Sequence, residues 1–276
     1  MLILQPVIHE TVWGTDLLSD LYDPDCRKIG HLYSCNPQKE GSNIILNGEY
    51  KGRDLYDYLV EKEKIHTDLQ FVIAIVTPEE NLSIQVHPSF GPHKKNESWY
   101  FMKKPNCSFI YNGCKTTDKQ LVRQEMMKGN LEAVTDRLYI EDGDYVYVQA
   151  GTLHSMTAGC VVYEIEELNG ETYRFYDYNR LDKNGQPREL QMEDAICHLK
   201  CESKSQKTDF LNVKTEEKYE VKIIEGGIYR NNFQNLECLT LIEGKTSNPE
   251  IKMGMSIILE PGESFDLGAG RFVSAH

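Results

Sequence analysis

Seven runs of five to seven residues, each rich in Val, Ile, Tyr and Phe and bounded by turn residues, narrow the folds open to this chain more than any other feature. They fall at 70–76 (QFVIAIV), 82–86 (LSIQV), 98–102 (SWYFM), 107–111 (CSFIY), 144–149 (DYVYVQ), 160–166 (CVVYEIE) and 172–178 (TYRFYDY). β-Branched and aromatic side chains suit a pleated, half-buried surface, and several runs alternate apolar with polar residues as half-buried strands do. Close spacing with short turns predicts a mainly β sandwich or barrel. Helical periodicity is confined to the margins. Residues 116–129 start with a Thr117-x-x-Gln120 capping-box pattern and end at Gly129. Asn130 opens a second short helix, and further amphipathic pieces occupy 53–61 and 189–198. The polar segment 201–218 reads as a linker, and strand patterns resume over 219–276.

A chain of 276 residues buries a substantial core without disulfide staples. Its formal net charge of -13 repels polyanions, which argues against nucleic acid and anionic membrane surfaces as general partners. The opening MLILQPVIHE has neither the basic nor the apolar region of a signal peptide, and no run approaches the roughly 18 apolar residues of a membrane span. Eight scattered cysteines in such a chain predict reduced, packed thiols in a cytoplasmic protein. Cys197 and Cys201 flank His198, but no second ligand pair stands nearby, which favours packing over a structural zinc site. Phosphate-loop, Rossmann and G-x-S-x-G patterns are absent from the sequence.

Two segments concentrate ligand-capable side chains. LSIQVHPSFGPHKKNESWYFM carries Gln85, His87, His93 and Glu97. Strand alternation puts Gln85 and His87 on one face, and the Pro- and Gly-containing loop returns the chain so that an antiparallel neighbour brings Glu97 opposite His87. GDYVYVQAGTLHSM spaces Gly143, Gln149, Gly151 and His154 so that a strand leads through a glycine turn into His154. A single strand histidine is more often structural than ligating. Four ligand-capable residues in two spaced motifs instead favour a metal, and two imidazoles, a carboxylate and an amide oxygen suit one zinc or another divalent first-row ion. His93 is not required by the pattern.

These segments resemble the two motifs of the cupin superfamily. The first motif reads His-x-His, a few residues, then Glu, and Gln85 stands where the first His would. The second reads Gly-x5-Pro-x-Gly-x2-His, and Gln149 replaces the Pro. More narrowly, Gln85-Val86-His87-Pro88 with Lys95-Asn96-Glu97-Ser98-Trp99-Tyr100 is similar to the short bacterial form of the type I mannose-6-phosphate isomerases. Trp13-Gly14, Gly30, the TYRFYDYNR run over 172–180 and Gly185 to Leu190 agree in order, so the resemblance covers residues 1–200. Beyond that, 262–270 (GESFDLGAG) repeats the second-motif spacing with Val273 where His would follow.

The resemblance implies two cupin-like units: a metal-binding domain over 1–200 with a helical insertion near 116–138, and a degenerate second unit over 219–276 that lacks the ligands. The chain stops at His276, which predicts an incomplete or differently closed terminal strand. Gln85, His87, Glu97 and His154 are the implied ligands of a zinc ion, Arg174 and Lys95 the implied catalytic residues, and Ser83, Lys95 and Arg174 the implied substrate contacts. The implied reaction interconverts mannose 6-phosphate and fructose 6-phosphate through an enediol, in a monomer or weak homodimer. A water on the metal, Lys95 with a depressed pKa and Glu171 are all candidate bases. Arg180, Lys183 and Arg188 form either a basic rim for a sugar phosphate or a solvated surface.

Three departures bear on activity. Gly170 stands where relatives often carry Asp four residues before the arginine, His31 replaces an acid, and Ser89 and Phe90 replace aspartates after His-Pro. Gly170 and His31 favour the competing reading of a non-catalytic, repurposed metal-binding cupin that senses a sugar phosphate. A metal oxygenase on the same scaffold is disfavoured by the Lys95–Arg174 pair.

Overall fold

The computed structural model describes residues 1–276 except Arg27, Asn169 and Lys183. The architecture is mainly β, with antiparallel sheets and short helices. All seven predicted runs contain strands, and each predicted helical piece contains a helix. The helix Lys119–Met127 starts one residue later than its capping-box pattern: the Asp118 side chain, rather than Thr117, accepts from the backbone N–H groups of Gln120 and Leu121. A carboxylate at that position satisfies two orphan donors and complements the positive helix end.

Chain contacts divide the protein into two compact units that do not follow chain order. One comprises Met1–His9, His31–Ile75 and Asp209–His276; the other comprises Glu10–Gly30 and Val76–Thr208. In the first unit, the opening strand Leu2–Gln5 pairs with Ser256–Leu259 on one side and Ile44–Ile45 on the other. The resemblance groups that opening strand with residues 1–200, whereas its non-local pairing joins it to the C-terminal strand Ser256–Leu259. The terminal strand is not left incomplete. Arg271–Ala275 pairs along its length with both Glu220–Glu225 and Glu237–Glu243, and Val273 is fully buried there.

The second unit carries the two ligand-bearing segments. In one of its sheets, Glu97–Lys103 lies between Asp144–Val148 and Val161–Glu167. In the other, the order is Tyr173–Tyr176, Ile84–Val86, His154–Ser155, Phe109–Cys114, Thr135–Tyr139. Alternation along Ile84–Val86 decides what each face meets. Ile84 and Val86 join Phe175, Leu153, Val122, Met126, Ala195 and Leu199 in a buried cluster that takes in residues of three helices, Lys119–Met127, Leu131–Val134 and Met192–His198. Burying a side chain such as Phe175 contributes roughly 1.5–3 kcal/mol. The helices therefore cover one face of this sheet and leave Gln85, on the other, to the site.

Candidate functional site

Three strands set the register of one half of the site: Gln85 pairs directly with His154 on one side and Arg174 on the other. Directly paired residues project from the same face of a sheet, so the three side chains share one surface. The other half comes from Glu97, flanked by Val148 and Glu166 in the second sheet. The loop after His87 crosses between sheets, so Glu97 approaches His87 face to face and not as the ladder neighbour that alternation alone suggests.

Each imidazole is locked in one tautomer. His87 Nδ1 lies 2.8 Å from the Glu171 carbonyl and His154 Nδ1 lies 2.8 Å from the Thr152 carbonyl. A carbonyl only accepts, so both Nδ1 atoms carry the proton and both Nε2 lone pairs face inward. His87 Nε2 is 2.9 Å from Glu97 Oε2, and His154 Nε2 is 3.3 Å from Glu97 Oε1. The donor atoms of His87, Glu97 and His154 lie within 4.8 Å of one another, all in buried residues. Among the described residues this is the one group of three or more His, Cys, Asp or Glu side chains so arranged.

Gln85 completes the ring, its Nε2 3.3 Å from His154 Nε2 and its Oε1 accepting from the Ser83 hydroxyl at 2.8 Å. A half-turn of the amide would present Oε1 to the cluster while the Ser83 hydroxyl accepts instead, because hydroxyls serve in both roles. Glu97 Oε1 is buried with no hydrogen-bond partner, an orphan acceptor beside two inward lone pairs. Such a set fits a divalent cation: it supplies nitrogen and oxygen donors and one negative charge, and it leaves an acceptor that only a cation or a donor would satisfy.

The turn that delivers His154 depends on Gly151. Its φ is +91°, and an added Cβ would stand 2.8 Å from the His198 carbonyl oxygen. Opposite it, Asn96 ties the site together: its side chain donates to Glu167 at 2.8 Å and accepts from the Ala150 N–H at 2.9 Å.

Lys95 is 5% exposed and ion-paired with Glu166, its ammonium 3.7 Å from Glu97. Burial alone would lower its pKa, but Glu166, Glu97 and Glu164 outweigh that and raise it. Burial likewise pushes against the Glu97 carboxylate, yet positive charge facing it, from Lys95 and from His87 and His154 whenever they carry a second proton, holds it well below the usual carboxylate range. Glu164 accepts from the Trp99 indole at 3.0 Å, and burial beside Glu97 and Glu166 holds its carboxyl well up. Sequence reading missed this acidic row. Its signal was the alternation of Glu164 and Glu166 along an otherwise apolar strand.

Arg174 faces a second cluster. Asp177, 3% exposed, sits 3.2 Å from Arg188 and 3.8 Å from Arg180. Burial and then Arg188 lower the Arg174 pKa. The Nε atoms of Arg174 and Arg180 are buried without a hydrogen-bond partner. Arg180 and Arg188 are thus partly buried and organised, unlike a loose solvated rim; Lys183 lies outside the described residues. Glu171 turns its exposed carboxylate to the Tyr173 hydroxyl at 2.8 Å, and His93 is exposed in its loop. All eight cysteines are free, with Cys201 buried in the helix-side cluster and Cys197 exposed.

The site also sets an acid limit on the metal-free fold. Burial first, with His87 adding and Glu97 opposing, lowers His154 to about 4, against about 6.5 for an unfolded histidine. Between those values the unfolded chain holds the extra proton, so this contribution is fully present above the unfolded value and is lost as pH falls toward the folded one. The loss is on the order of 3 kcal/mol. Denaturant midpoints of the chelator-treated protein are expected to fall over that window, and His154→Asn to flatten the profile. An equally steep profile in the variant would rule His154 out as the source.

No family model matches the chain. YvyI of Bacillus subtilis (strain 168), itself only provisionally named a mannose-6-phosphate isomerase, is 31% identical over 211 residues, covering 71% of this chain and 66% of YvyI. ManA of the same organism, a mannose-6-phosphate isomerase, is 28% identical over 209 residues with the same coverage of each chain. The match therefore spans just under two thirds of these relatives. The crystal structure of the mannose 6-phosphate isomerase from Bacillus subtilis has a TM-score of 0.78 to this chain at 24% identity, over 100% of this chain and 99% of that one, a likeness of fold. No helix among the described residues is long and apolar enough to cross a membrane. In its motifs, its sheet architecture and its relatives, the chain resembles the mannose-6-phosphate isomerases.

Proposed function

We propose that the protein is a metal-dependent aldose–ketose isomerase that interconverts mannose 6-phosphate and fructose 6-phosphate in the cytoplasm, with zinc the ion best suited to its donors. The observation that carries this reading is the convergence of two Nε2 atoms on the Glu97 carboxylate, whose Oε1 is an orphan acceptor, in a chain that resembles this family. His87, Glu97 and His154 would hold the ion, with Gln85 as a fourth donor. When bound, a divalent metal polarises substrate oxygens as a Lewis acid.

The chain's own residues supply the rest. Arg174, with an orphan Nε donor and a fixed fork, is suited to phosphate or enediolate oxygens, and Arg180 and Arg188 extend that positive surface. They answer the overall charge of -13 locally. Lys95 is held protonated chiefly by Glu166 and Glu97, so it serves as a hydrogen-bond donor and point charge near the reacting oxygens; the same carboxylates oppose a role as base. Glu171, turned outward, is poorly placed to replace the missing aspartate. The test is a coupled assay for fructose 6-phosphate formed from mannose 6-phosphate with zinc restored. Zinc binding without turnover in the wild type would overturn the enzyme reading in favour of a sensor.

Gly170 is coupled to Lys95. A Cβ there would lie 2.0 Å from Lys95 Cδ and 2.5 Å from its Cβ and Cγ. Because the clash reaches Lys95 Cβ, rotation of the side chain does not relieve it and the backbone must shift. Gly170→Ala is expected to lower kcat by about ten- to a hundredfold, since misplacing a working group by about 1 Å costs that much. Wild-type kcat in the variant would show that Lys95 need not stand where it does.

A further inference from the structure

The loop from Pro88 to Asn96 is anchored at its C-terminal end by buried contacts of Lys95 and Asn96. Its N-terminal end is held differently. The Ser89 N–H donates to His198 Nδ1 at 3.1 Å, two residues after the candidate ligand His87. The His198 ring packs against Phe90, with ring centres 4.1 Å apart, and against Tyr173, at 5.2 Å and an interplanar angle of 21°. Tyr173 donates to the Glu171 carboxylate, and the Glu171 carbonyl accepts from His87 Nδ1. These contacts close a circuit from the His87 ring through Glu171, Tyr173, His198 and Ser89 back to the His87 backbone.

The same helix end braces the other imidazole. The Lys200 N–H donates to the Gly151 carbonyl at 2.9 Å, the Gly151 N–H donates to the His87 carbonyl at 3.1 Å, and the turn at Gly151 leads into His154. A backbone N–H needs an acceptor, so the His198 Nδ1 lone pair must be free and the imidazole neutral. Burial lowers the His198 pKa, with Asp194 and Glu171 opposing and Lys119 adding, which keeps it so. Phe90 is 58% exposed, and the His198 ring packs on one of its faces.

We propose that His198 is a positioning residue that fixes His87 through the Ser89 hydrogen bond, so that its Nδ1 acceptor sets the affinity of the site for a divalent metal. This inference rests on the metal-dependent reading above. Two substitutions separate the acceptor from the ring: His198→Phe keeps the aromatic packing and removes the acceptor, whereas His198→Asn places an amide oxygen near the Nδ1 position and removes the ring.

The experiment titrates Co2+ into each full-length apoprotein, following its visible absorption band and competition with a chelator, alongside kcat and KM of the zinc-loaded enzymes and apoprotein unfolding midpoints. His198→Phe is expected to bind Co2+ about tenfold more weakly, the low end of the range for partners that orient ligands, while His198→Asn stays near wild type. His198→Leu serves if the Phe variant does not fold. Unchanged Co2+ affinity in His198→Phe, or an equal loss in His198→Asn, would overturn the proposal. Failure of the wild type to bind Co2+ or zinc would instead overturn the metal-dependent reading.

Discussion

His87→Ala is expected to abolish metal uptake and, with it, to cut mannose 6-phosphate turnover by about a thousandfold or more, given that Lewis-acid polarisation lowers the barrier by several kcal/mol. The Glu171 carbonyl holds His87 so that Nε2 points at Glu97 2.9 Å away. Removing the ring leaves Glu97 with one imidazole where two stood. Glu97→Gln tests the same point with less loss of packing, because it removes the charge that balances Lys95 and the cation while keeping the shape. Elemental analysis of the purified variants and the coupled assay should fall together. Turnover that survives in His87→Ala after chelation would exclude the metal mechanism.

Arg174→Ala is expected to leave metal content intact and cut kcat by about a hundred- to a thousandfold, the usual consequence of losing a preorganised donor to developing negative charge. Its side chain shares a face with Gln85 and His154, and its buried Nε has no partner among the described residues. Arg174→Lys should not restore the rate, because an ammonium lacks the planar fork and neighbouring Arg188 would disfavour a second flexible charge. Near-normal kcat in Arg174→Lys would mean that charge alone suffices. Retained metal with lost turnover separates this variant from the ligand variants.

Much of the site was readable as types and spacings. Gln85, His87, Glu97 and His154 stand in two motifs, and their side chains do meet. What alternation misjudged was the route: it paired Glu97 with His87 along a ladder, whereas the loop between them carries the chain to another sheet. Glu164 and Glu166 were visible as acids on an apolar strand, but nothing local says that they surround Lys95. The roles of Thr152 and Glu171 as carbonyl acceptors leave no trace in side-chain chemistry at all. Lys95 shows the same limit, since its pKa direction depends on which carboxylates surround it.

Local chemistry decided the strands, the candidate ligand set and the family resemblance, because side-chain type and the two-residue period of a strand act over a few residues. Strand partners, unit membership and charge environment were decided by tertiary structure. Pairing the opening strand with Ser256–Leu259, setting Glu164 and Glu166 beside Lys95, and resting Lys95 on Gly170 all join residues distant in the chain. Such contacts depend on burial and close packing, which exist only once the sheets have formed.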